Sequence, residues 1–149
     1  MPTQHFTTGQ AAEYLEMPRE TLRAWIHKGW LNSLWPRDEV GRWSRFTADE
    51  VVLLRIVKEF ARVMSVEDAA DCVGGCTGPI AIFFDPSEED GPGKCRFVGV
   101  QLVAHEGKTL YAPHFAESLA KFQSEGVVTY LVVDLAAIPM PTAPKEPAQ

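Results

Sequence analysis

The chain is poor in the groups that perform chemistry unaided. Three cysteines among 149 residues are too few, and odd in number, for the paired framework of a small secreted protein, so reduced thiols are expected. No apolar stretch approaches the ~20 residues needed to span a bilayer. The opening MPTQHFTTGQ has neither the basic start nor the apolar core of an export signal, and a cytoplasmic chain is expected. A Gly-rich phosphate loop is missing, as is any Ser/His/Asp or Cys/His set on plausible elements. Neither an enzyme nor a bound cofactor is expected. Excess positive charge is lacking too: 14 Lys and Arg face 20 Asp and Glu, a net −6, which averaged over the chain opposes a polyanionic partner.

What is present is a globular composition with an uneven distribution of charge. Hydrophobic residues make up 46% and charged residues 23%, enough apolar material to build a core. Residues 1–64 hold nine Lys and Arg against eight Asp and Glu, whereas 65–149 hold five against twelve. The acidity therefore belongs to the second half. Between Glu20 and Arg37 stand Arg23 and Lys28 and no acid. Such asymmetry is a hint of a nucleic-acid-binding part joined to something else.

The first half reads as a set of helices interrupted by a loop. Thr7 and Gln10 have the spacing of a reciprocal cap, followed by the small apolar face of Ala11, Ala12, Tyr14 and Leu15. Pro18 breaks that helix and opens a second, from about residue 18 to 27. In it Leu22, Trp25 and Ile26 form one inward stripe, and Arg19, Glu20, Arg23 and Lys28 fall outside it. Gly29 stops it. Two helices joined by so short a turn have helix-turn-helix geometry. Residues 30–46 then read as a hairpin wing turning at Pro36, Asp38-Glu39 and Gly41, with strands at Leu31–Trp35 and Arg42–Phe46. Arg42 and Arg45 flank Trp43 there, a set suited to a phosphate backbone. Trp25 is read as core, and Trp43 either packs beneath the wing or touches sugar. Thr47 with Glu50, and Ser65 with Asp68, are further helix starts; the first opens a long helix whose buried face runs from Val51 to Met64.

Four segments in order, FTTGQAA (6–12), TLRAW (21–25), KGWL (28–31) and RFTADEV (45–51), resemble the winged helix-turn-helix of MerR-type transcription factors, a fold shared with phage excisionase and small-terminase domains. The resemblance covers about residues 5–73. It implies that the second helix enters the major groove, with Arg19, Thr21 and Arg23 at or near the bases and Arg42 and Arg45 gripping phosphate from the wing. Two positions depart from the family: Met17 stands where a serine usually caps the second helix, and Phe46 replaces the usual wing tyrosine. The long dimerisation helix that commonly follows is not found, so activation through a coiled-coil dimer does not carry over.

The second half reads as a small α+β unit at 80–138, after a Gly/Pro linker at 74–79 and before a proline-rich disordered tail at 139–149. Ile80–Phe84 is a candidate buried strand, pairing as a hairpin with a strand at Arg96–Val103. Thr109–Tyr111 is a further short strand. A helix from Pro113 carries Phe115, Leu119 and Phe122, and Val127–Leu135 is the strongest strand. Cys72, Cys76, Cys95 and His105 lack zinc-knuckle spacing and are read as free groups without metal. The Asp85–Asp90 loop lacks a calcium-ligand pattern and is read as solvated.

The expected fold is therefore α+β: a winged helix-turn-helix, then a short antiparallel sheet with one helix. The expected function is a sequence-specific double-stranded-DNA-binding transcriptional regulator. Its contact residues are Arg19, Thr21, Arg23, His27 and Lys28 on the helix at 18–28, and Arg37, Arg42, Trp43 and Arg45 on the wing at 35–46. A homodimer or cooperative oligomer is expected, with the acidic second unit meeting itself or another protein. Alternatives are an excision or packaging factor with the same head, and an interaction module that has lost DNA.

Overall fold

In the computed structural model, residues 5–34, 45–85, 95–122 and 128–142 are described. The N-terminal part opens with β1 (His5–Thr7), α1 (Thr8–Leu15) and α2 (Arg19–His27), then β2 (Arg45–Thr47), α3 (Ala48–Phe60) and α4 (Val66–Gly74). Beyond these come α5 (Thr77–Phe84), β3 (Phe97–His105), β4 (Lys108–Ala116) and β5 (Val128–Asp134). Short 3₁₀ turns follow β4 and β5 at Leu119–Phe122 and Leu135–Ala137.

Three helices start where a hydroxyl satisfies a backbone donor. Thr7 and Gln10 form the complete reciprocal cap: the Gln10 N–H donates to Thr7 Oγ1 over 3.2 Å, and the Thr7 N–H donates to Gln10 Oε1 over 2.9 Å. Thr47 Oγ1 accepts from the Glu50 N–H, and Ser65 Oγ from the Asp68 N–H. Each such cap is worth about 1 kcal/mol. β1 and β2 pair antiparallel, with Phe6 opposite Phe46 and Thr7 opposite Arg45. Both rings are buried, so this short ribbon seats the starts of α1 and α3 on the same core.

α3 is the centre of that core. Val51, Val52, Leu54, Ile56, Val57 and Phe60 are all buried, and the helix packs against α1, α4, both short strands and β5. The cluster continues into the second half through Ile80, Val98, Val100, Val133 and Leu135. One face of the three-stranded sheet, order β4-β3-β5 and antiparallel throughout, thus closes over the helices. A smaller cluster of Phe97 and Ala116, with Val132 against it, lies apart from that core. β3 and β4 turn through Glu106 and Gly107, both at positive φ (51° and 77°), the combination a tight two-residue hairpin demands.

Several sequence expectations are overturned. Ile80–Phe84 lies in a helix, not a strand, and β3 pairs with β4 and β5 instead. A five-residue apolar run cannot by periodicity distinguish the two; here Pro79 sits in the first turn, where its missing N–H costs nothing. The helix expected from Pro113 is the end of β4 followed by a 3₁₀ turn. The 115/119/122 spacing mimics a helix, but Pro113 is tolerable on an edge strand such as β4. Residues 31–34 form turns, not a wing strand, and the strand at Arg45–Thr47 pairs with β1. The rest of the expected wing, the Asp85–Asp90 loop beyond Asp85 and the tail from residue 143 lie outside the described residues. Residues 74–79, read as a linker, contain the end of α4 and the first turn of α5, with Cys76 buried between them.

The α4–α5 junction is tight. A Cβ on Gly75 would stand 2.5 Å from Pro113 Cγ and 3.2 Å from Pro113 Cβ. Its φ of −74° suits any residue, so space alone requires glycine. Gly75→Ala is expected to cost about 1–3 kcal/mol, the range for overpacking a close contact, read as a lower urea midpoint at constant slope. Unchanged stability would contradict this close approach of α4 to β4.

Candidate nucleic-acid interface

The candidate surface is built on α2, which is nine residues long. Its inward side is set by Leu22, fully buried, and Trp25 at 7% exposure, with Ile26 half-buried beside them. At about 100° per residue, Glu20, Ala24 and His27 then lie opposite that stripe. Arg19 and Arg23 lie on one flank, Thr21 and Lys28 on the other. Arg19, Glu20, Thr21, Arg23, His27 and Lys28 are all exposed.

The ends of α1 and of α2 are each closed by backbone hydrogen bonds. At the end of α1, Met17 N–H donates to Ala12 O and Glu16 N–H to Glu13 O. Glu16 adopts the left-handed conformation (φ 55°) that this closure requires. At the end of α2, Trp30 N–H donates to Trp25 O and Gly29 N–H to Ile26 O, with Gly29 at φ 75°. Pro18 stands at the N-cap of α2 and makes no side-chain cap hydrogen bond. Lys58 of α3 donates its Nζ to Leu15 O, fastening the C-terminus of α1 to the central helix.

Among the nine expected contact residues, Arg19, Thr21, Arg23 and His27 stand on α2 and Lys28 immediately follows it. Lys28 Nζ rests 4.6 Å above the Trp30 ring, a cation–π arrangement that holds the ammonium at the end of the helix. Arg19 Cδ lies 4.0 Å from the position a Cβ on Gly9 would take, in the first turn of α1. Arg45, exposed on β2, sits across from Thr7, which caps that same turn. The fold thus brings Arg19 and Arg45 to the start of α1 from two different elements. Arg37, Arg42 and Trp43 lie outside the described residues. Such a face offers guanidinium donors for phosphate and guanine, and a hydroxyl for either. Glu20 shares this face although its charge sets it apart from the expected contacts; its signal in the sequence was only its place off the apolar stripe.

The cysteines have a different character. Burial, with Asp68 and Asp71 nearby, pushes the Cys72 thiol up to about 11. Burial, with Cys72 and Cys95 nearby, pushes that of Cys76 up to about 12. Both stay protonated at neutral pH, as thiols packed in an apolar core do. Cys76 Sγ lies 4.0 Å from the His114 carbonyl oxygen on β4. Among the described residues no group of three or more His, Cys, Asp or Glu is arranged to hold a metal ion, and no helix is long and apolar enough to cross a membrane.

Compared with known proteins, residues 6–69 match the family model described as MerR HTH family regulatory protein. No curated protein and no solved structure matches the chain.

The thiols predict a pH dependence. Unfolded cysteines ionise near about pH 8.5, while the folded ones hold their protons to about 11 and about 12. Between those limits the native state binds more protons, so stability is full below about pH 8.5 and declines as pH rises. Thermal melts across pH 8–11 should show this decline, with Cys76→Ala flattening it. An identical slope in that variant would contradict the buried neutral thiol.

Proposed function

From a MerR-type helix-turn-helix DNA-binding domain in the N-terminal part of the chain, we propose a sequence-specific transcriptional regulator acting on double-stranded DNA in the cytoplasm. In this reading α2 enters the major groove and the segment around 35–46 lies along the phosphate backbone. The observation that carries it is the division of α2: Leu22 and Trp25 are consumed by the core, while Arg19, Thr21 and Arg23 are exposed, and Arg19 and exposed Arg45 both lie at the start of α1. Affinity comes mainly from phosphate neutralisation and weakens steeply with salt. Arg19 and Arg45, flanking the capped start of α1, are assigned to phosphate; Arg23 and Thr21, within α2, to base edges.

One such domain makes few base contacts, so the functional unit is proposed to be a dimer on half-sites about one helical turn (roughly 34 Å) apart. The second half supports this role. Ile82 of α5, Leu110, Tyr111 and Phe115 of β4, and Leu119 just beyond it are large apolar side chains left 39–54% exposed. Surfaces of this kind are commonly covered by another chain. The proposed mechanism is occupancy of an operator by paired heads, without the long coiled coil seen in other regulators of this type.

Gel shifts with genomic fragments test the proposal. Arg23→Ala and Arg45→Ala are each expected to weaken binding about tenfold or more. Arg45→Ala should also reduce the slope of log K against log salt by about 1, whereas Arg23→Ala should relax sequence preference. Enriched fragments should fall at promoters; enrichment at attachment or packaging sites would favour the excision or packaging role. No binding even at low salt would replace the proposal with an interaction module.

A further inference from the structure

Glu20 is the one acid within α2, and it stands among the basic residues of the outward face. It is exposed and lies near the middle of the arc opposite Leu22 and Trp25. Arg19 precedes it and Arg23 is one turn on, yet among the described residues neither is ion-paired with it. If α2 served affinity alone, a carboxylate at this point would only repel phosphate. Two things can offset that loss: the favourable place of an acid in the first turn of α2, or a contact that a carboxylate makes and a cation cannot.

An ionised carboxylate is an acceptor without a donor. The floor of the major groove offers it two donors, the N4 amino group of cytosine and the N6 amino group of adenine. Adenine places its N7 acceptor beside N6, so a carboxylate there meets a lone pair. Cytosine presents a C–H edge beside N4. Guanine and thymine offer acceptors, N7 and O6 or O4, and repel it. We propose that Glu20 accepts a hydrogen bond from cytosine N4 at one fixed position of each half-site, and so determines sequence specificity by attraction to one base and repulsion of the others. The inference rests on the major-groove placement of α2 proposed above. Glu20 lowers affinity for random duplex and raises discrimination, a division of labour between attraction and repulsion that specific binders use.

A carboxylate in the first turn also favours the helix electrostatically, so the test must separate reading a base from stabilising a helix. The full chain, Glu20→Gln and Glu20→Ala are each used to select binding sites from a random duplex library, with thermal melts of all three. The expected result is a fixed cytosine for the natural protein. Gln, which pairs with adenine N6 and N7, should move that position to adenine, and Ala should erase the preference there while leaving the other positions intact. On a defined site, replacing that C·G pair should weaken the natural protein roughly 5- to 150-fold and the Ala variant little. The same preferred base in all three proteins overturns the inference, and a lowered melting temperature alongside it assigns Glu20 to helix stability. If the natural protein binds no duplex at low salt, the groove placement itself fails and takes this inference with it. The two failures are therefore distinguishable.

Discussion

Leu22 and Trp25 hold α2 against the core, and its outward residues take their position from that anchoring. Burying side chains of this size contributes about 1.5–3 kcal/mol each, several times what an exposed arginine contributes to stability. The constraint is one of rotation. Turning α2 by one residue would expose Trp25 and bury Arg19 or Arg23, so the apolar stripe fixes which side chains face outward. The backbone closures at Glu16 and Gly29 fix where the helix begins and ends. Because α3 is buried along most of its length, it transmits this order to both halves of the chain.

The two halves share one core, with Val98, Val100, Val133 and Leu135 joining the helical cluster. Polar contacts brace the sheet and tie it to the first half. Arg96 meets Asp134 through two hydrogen bonds of 2.8 Å, clamping the start of β3 to the end of β5. The same contact holds the Asp134 carboxyl below its ordinary range. Tyr14 of α1 donates its hydroxyl to the Pro139 carbonyl over 2.5 Å, tying the segment after β5 back onto the first helix.

Local features were legible in the sequence, and long-range ones were not. The hydroxyl caps at Thr7, Thr47 and Ser65, the apolar face of α3 and the strands β3 and β5 depend on neighbouring residues, and their patterns identify them. The pairing of β1 with β2 joins residues about forty apart. Its signal was a near-repeat, Phe6-Thr7-x-x-Gln10 against Phe46-Thr47-x-x-Glu50, in which a buried ring precedes a helix cap. Ile80–Phe84 and Phe115–Phe122 misled because short apolar runs suit either element until their partners are known. On the candidate site, the off-stripe position of the α2 residues was legible. The place of Glu20 was legible too, but its acid sign set it apart from residues chosen for their positive charge.

The central claim is that the chain meets a duplex through the outward face of α2 while Leu22 and Trp25 remain in the core. Backbone amide shifts of the full chain, recorded with and without a genomic duplex that it retains, test this most directly. The account predicts that the largest changes cluster at residues 19–28 and at Arg45, with the amides of α3 and β3 little moved. Changes concentrated on α5 and β4, with α2 silent, would contradict it.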